Sequence, residues 1–196
     1  MVFLVLEGFS GTGKTTIAKE LERRGWLRIP ESAHSVPDAV PLAERADTMA
    51  DFSLLGATMM NCSTISAARA RRDIVSEGYF LSDLAYAWIR YDMKMSDAFP
   101  AMLAICRDLL GHESLRPDLY TVLRAKPDAV EERQRRKSAR DRNLSGAFRM
   151  RYYPALTGLH HRLGEDRVET VRTDGDPRLA LLLTLKALKK WKLVRP

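Results

Sequence analysis

The chain has 196 residues, 45% of them hydrophobic, with 32 lysines and arginines against 25 acidic residues, for a net charge of +7. This suits one globular domain with a sizeable core, 1–196, and no apolar run is long enough to cross a bilayer. The apolar start, Met1 to Gly8, is too short for a signal peptide and lacks its basic leading residues. Cys62 and Cys106 have no metal-type spacing, so a reduced, cytoplasmic setting is expected.

Residues 2–6 form a continuous apolar run, the pattern of a strand buried on both faces. A glycine-rich turn follows, then a helical pattern over 14–24 that stops at Gly25. A short strand over 26–29 ends at Pro30, and 34–40 reads as loop, with Pro37 inside it and Pro41 just beyond. A long helix is predicted over 51–72, a strand over 74–76, and helices over 84–95 and 97–110. Then come a strand at 119–123, a helix at 127–137, a basic stretch at 133–142 leading into a helix that ends near 163, a strand at 168–172 and a helix at 177–191. Alternating strands and helices predict an α/β three-layer sandwich: a five-stranded parallel sheet with helices on both faces, joined by right-handed crossovers.

Gly8-Phe9-Ser10-Gly11-Thr12-Gly13-Lys14-Thr15 matches the phosphate-binding loop G-x-x-x-x-G-K-[ST], between a predicted strand and a predicted helix. Glycines let successive backbone N–H groups turn inward as an anion nest, and the following helix adds its positive end. Lys14 is expected to reach the β- and γ-phosphates of ATP, and Thr15 to place its hydroxyl on Mg²⁺. The predicted nucleotide-binding set is Gly8, Ser10, Gly11, Thr12, Gly13, Lys14, Thr15 and Thr16.

Beyond this loop the chain resembles thymidylate kinase and, more loosely, the deoxynucleoside kinases. The stretch from Ile74 to Tyr86 resembles V-x-x-D-R-Y-x-x-S-S-L-A-Y, and Pro117 to Leu123 resembles P-D-L-T-x-x-L. Pro127 to Arg133 is similar to P-E-x-x-x-E-R, and Asp141-Arg142 falls where the family has D-R in a lid. The resemblance implies a P-loop kinase fold with a basic lid over about 135–146, ATP and Mg²⁺ as cofactors, and adenine contact near 173–177. Dimers are common in these families, which leaves a homodimer open.

The departures from the thymidylate kinase pattern bear on the acceptor. D-R-Y becomes Glu77-Gly78-Tyr79, R-E-P becomes Ile29-Pro30-Glu31, and the long-helix arginine falls near Met59 to Asn61, where there is none. Arginines that grip a nucleoside monophosphate are thus missing from their usual places. Arg69, Arg71 and Arg72 could stand in, although on a helix they read as a solvated face. Ile29-Pro30-Glu31-Ser32 instead resembles the V-P-E-P of deoxynucleoside kinases, which implies Glu31 as the base for an attacking hydroxyl and Glu77 as a second carboxylate, catalytic and metal-binding. Arg136, Arg140 and Arg142 are the lid candidates for stabilising the transferring charge.

The expected reaction is ATP- and Mg²⁺-dependent phosphoryl transfer to a nucleoside- or nucleotide-like acceptor, a hydroxyl somewhat favoured. A hydroxymethylated base in DNA, a natural-product hydroxyl and a non-catalytic nucleotide-binding module are the alternatives. His34, His112, His160 and His161 read as structural, Trp88 as core, and Asp118 as structural at the sheet end away from the phosphates.

Overall fold

A computed structural model describes residues 1–37, 40, 46–135 and 146–193. Strands β1 (Phe3–Glu7), β2 (Leu27–Ile29), β3 (Ile74–Glu77), β4 (Leu119–Arg124) and β5 (Val168–Arg172) form one five-stranded sheet in the order β2-β3-β1-β4-β5. Every pairing is parallel; Leu4 lies beside Val75 on one side and Leu119 on the other. Helices α1 (Lys14–Glu22), α2 (Thr48–Arg69), α3 (Phe80–Asp92), α4 (Phe99–Leu110), α5 (Pro127–Arg135), α6 (Gly146–Leu163) and α7 (Pro177–Lys190) surround it.

Alternation along β1 divides the core into two layers. Phe3 and Val5 pack with Phe80, Leu84, Met102 and Tyr152 from α3, α4 and α6. Leu4 and Leu6 pack with Ile17 and Leu21 of α1 and with Leu181 and Leu188 of α7. A strand with both faces covered must be apolar throughout; Glu7, fully buried at its end, breaks that rule.

Several boundaries differ from the pattern by one to four residues, among them two helix starts. Helix α3 begins at Phe80, four residues before the predicted start, because Phe80, Leu81, Leu84 and Ala85 are all buried and no amphipathic edge marks the entry. Helix α2 begins at Thr48, capped by the Asp47 carboxylate, which accepts from the Ala50 N–H at 2.8 Å. Asp51 and Arg90, both nearly fully buried, form an ion pair that ties α2 to α3.

The amino end of the sheet is closed by carboxylates. Asp118 accepts from the Phe3 N–H at 2.7 Å and from Arg69 at 3.1 Å, and Asp73 accepts from the Val2 N–H at 2.8 Å. Asp118 is structural, and Arg69 is spent at this end, away from the phosphate-binding loop.

Candidate active site

The loop between β1 and α1 lies at the carboxyl end of the sheet, where ligands of such folds bind. Gly8 (φ 148°) and Gly13 (φ 99°) occupy conformations that side chains rarely adopt. Thr12 closes the turn, its hydroxyl donating to the Phe9 carbonyl at 2.8 Å, and the N–H groups of Thr16 and Ile17 donate to the Gly13 carbonyl. Helix α5 braces the tip of the loop: Gln134 donates to the Ser10 carbonyl at 3.1 Å and Arg133 to the Gly11 carbonyl at 3.3 Å. Arg133 also donates to the Thr173 carbonyl at 2.6 Å. It thereby walls a cavity of about 200 Å³ lined with Thr12, Thr16, Thr173, Pro177 and Ala180, next to the loop and at the turn where the resemblance expects adenine.

Lys14, the first residue of α1, folds back over the loop. Its ammonium donates to the Gly8 carbonyl at 2.7 Å and stands 3.5 Å from Glu31 Oε1. Glu31 follows β2 at the start of a 3-10 turn over Ser32–His34 and keeps about 29% side-chain exposure. The Thr15 hydroxyl bonds Glu77 Oε2 at the end of β3, and Arg28 Nε donates to Glu77 Oε1 at 2.6 Å. Residues from three separate elements thus converge: Lys14 and Thr15 from α1, Glu31 beyond β2, and Glu77 on β3. Arg136, Arg140 and Arg142 lie outside the described residues.

Two carboxyl groups under this surface were not picked out by sequence. Burial pushes Glu7 up to about 8; Ser82 donates to its Oε2, and the Ser82 hydroxyl is 3.0 Å from that of Tyr152. Burial likewise pushes Asp83 up to about 7, although it accepts from Thr58 at 2.6 Å and from Ser32, next to Glu31, at 3.4 Å. Tyr86 packs against Phe9 and Tyr152 at ring distances of 6.4 and 5.0 Å; burial, and then the charge of Glu31, push its hydroxyl well up.

The remaining residues divide between packing and surface. Trp88 packs partly buried against the core, and Cys106 is wholly inside it. His160 is buried edge-on against Tyr120, and desolvation lowers it to about 4, while His34, His112 and His161 are exposed. Gly78 sits in a turn and Met60 is exposed, so neither position offers a cation. Lys14, Arg28 and Arg90 each pair with a carboxylate.

The donor set suits Mg²⁺. Thr15 and Glu77 supply two adjoining hard oxygens, and Mg²⁺ uses one or two such ligands with phosphates and waters completing its octahedron. Among the described residues no group of three or more His, Cys, Asp or Glu side chains could hold an ion by itself. Also among them, no helix is long and apolar enough to cross a membrane.

No family model and no curated protein matches the sequence. Solved structures do match in shape. Thymidylate kinase from Candida albicans aligns at TM-score 0.75 and 14% identity, over 100% of this chain and 95% of its own. Deoxyadenosine kinase from M. mycoides, solved with bound dATP, aligns at TM-score 0.75 and 16% identity, over 96% and 100%. The same enzyme with bound dCTP aligns at 0.68 and 15%. With the parallel sheet, the loop after β1 and these neighbours in hand, the fold is that of the thymidylate kinase-like P-loop kinases.

Proposed function

We propose that this chain is an ATP- and Mg²⁺-dependent kinase that transfers the γ-phosphoryl group to a hydroxyl of a nucleoside-like acceptor. The observation that carries the reading is the position of Glu31, whose carboxylate stands 3.5 Å from the ammonium of the phosphate-loop lysine. A base that takes a proton from an attacking hydroxyl must lie beside the phosphate being attacked.

In this mechanism the loop N–H groups and Lys14 hold the β- and γ-phosphates. Thr15 and Glu77 would hold Mg²⁺, which supplies charge neutralisation on the phosphate oxygens when bound. Glu31 accepts the acceptor's proton as its oxygen bonds to the γ-phosphorus. The bond to the β-γ bridging oxygen breaks, and Lys14 stabilises the charge that grows there. Tyr86 and Asp83 lie within reach of the charge of Glu31, and Asp83 accepts from Ser32, the residue after Glu31. Among the described residues Lys14, Arg28 and Arg90 are already paired, so a monophosphate dianion would face the Glu31 carboxylate, an unfavourable setting at low effective dielectric.

Glu31→Gln keeps size and removes the base. With thymidine as acceptor, kcat should fall by about 10²–10⁴ while ATP affinity holds. Rapid phosphorylation of thymidine monophosphate by that variant would overturn the reading. The net charge of +7 favours a second reading, a hydroxymethylated base within DNA, which a hydroxymethylated oligonucleotide in the same assay tests.

A further inference from the structure

Arg28 belongs to no motif in the sequence, yet it contacts the carboxylate at the centre of the site. Strand β2 lies at the sheet edge, with Ile29 beside Ser76 and Arg28 beside Val75. Leu27 and Ile29 pack into the layer of α3 and α4, so alternation sends Arg28 to the opposite face, toward α1 and Glu77. Its Nε bonds Glu77 Oε1 at 2.6 Å, and one terminal nitrogen stands 3.7 Å from Glu22 of α1. The Glu77 side chain is wholly buried and that of Arg28 is 18% exposed.

The two oxygens of Glu77 are therefore divided. Oε2 meets the Thr15 hydroxyl, and Oε1 belongs to Arg28. A buried carboxylate held from both sides cannot rotate to offer both oxygens at once. Its far oxygen also faces the full positive charge of the Arg28 guanidinium, which opposes a dication at the near one. Glu22 offsets little of that charge, because its side chain is 52% exposed.

We propose that Arg28 is a positioning residue for the metal carboxylate: it restricts Glu77 to one oxygen and makes the Thr15–Glu77 pair a poor cation site until phosphate oxygens arrive. This inference rests on the kinase reading.

Mn²⁺ serves as the probe, followed by electron paramagnetic resonance on the full chain, without nucleotide and with ADP. Arg28→Met should bind Mn²⁺ about tenfold or more tightly than wild type without nucleotide, because a neighbouring unit charge is gone. Arg28→Lys keeps the charge and should stay within about threefold of wild type. Should Arg28→Met fail to fold, Arg28→Gln, which keeps a donor for Oε1 without the charge, replaces it. Equal Mn²⁺ affinity of wild type and the neutral variant in both states overturns the role of Arg28. Calorimetry separates the two claims: a wild type that binds no ADP sinks the kinase reading and this inference with it. A wild type that binds ADP while the neutral variant leaves Mn²⁺ affinity unchanged sinks the inference alone.

Discussion

Replacing Glu7 by Gln should raise stability above neutral pH and leave it nearly unchanged in mild acid. Burial lifts this carboxyl from 4.5 to about 8, so the folded chain keeps a proton that the unfolded chain gives up. The stabilising contribution is complete below the unfolded value and is lost as pH rises toward the folded one. Each pH unit in that window removes up to about 1.4 kcal/mol, on the order of a few kcal/mol by pH 8. Asp83, raised from 3.8 to about 7 by burial, acts in the same sense. His160, lowered from 6.5 to about 4, acts in the opposite sense below pH 6.5, and it cancels when variant and wild type are compared at one pH. The amide of Glu7→Gln keeps the shape and an acceptor for Ser82 without ionising. At about 2–4 °C per kcal/mol for a domain of this size, the variant should gain roughly 10 °C or more in Tm at pH 8 and about none at pH 4. Circular dichroism melts at half-unit steps between those limits test this. Parallel curves for the two proteins would refute a buried, protonated Glu7.

Lys14→Ala should remove phosphoryl transfer by about 10²–10⁴ while the melting temperature stays close to that of wild type; retention of more than about a tenth of wild-type kcat counts against the phosphate-loop assignment. Asp118→Asn weakens the contacts to the Phe3 N–H and Arg69, so urea unfolding should show a loss of about 1–3 kcal/mol. Its kcat should remain within about threefold, and a thousandfold loss in a folded variant would place Asp118 in the chemistry after all.

What the sequence reveals and what it hides divide along the range of the interactions. The phosphate loop is legible because its chemistry is local: glycines, lysine and threonine act within eight consecutive residues. The strands are legible because burial on both faces leaves apolar runs, as in Phe3 to Leu6. Asp118 is placed correctly by topology alone, since it precedes a parallel strand. Glu31 and Glu77 come from resemblance, and their closeness to Lys14 and Thr15 becomes visible only in three dimensions. Arg28, Glu7 and Asp83 stay hidden. The role of Arg28 depends on the register of β2 against β3, 49 positions from its partner. Glu7 continues an apolar strand, and its burial follows from α3 and α6 packing over it, where Ser82 and Tyr152 supply its neighbours. Asp83 sits within a quoted motif, but its partner Thr58 comes from α2, 25 residues earlier.

The two glycines that bracket the loop are closed to substitution for different reasons. A Cβ at Gly8 would lie 2.7 Å from the Thr12 hydroxyl and 2.8 Å from the Leu123 carbonyl oxygen, an atom of the interior strand β4 that has nowhere to retreat. A Cβ at Gly13 would meet nothing within 4 Å, and only the left-handed backbone resists it. The first position is therefore a matter of volume as well as torsion, and the second of torsion alone. Evolutionary drift has separate latitude at each: Gly13 admits in principle a residue such as asparagine that tolerates that torsion, whereas any side chain at Gly8 must first push the loop away from β4.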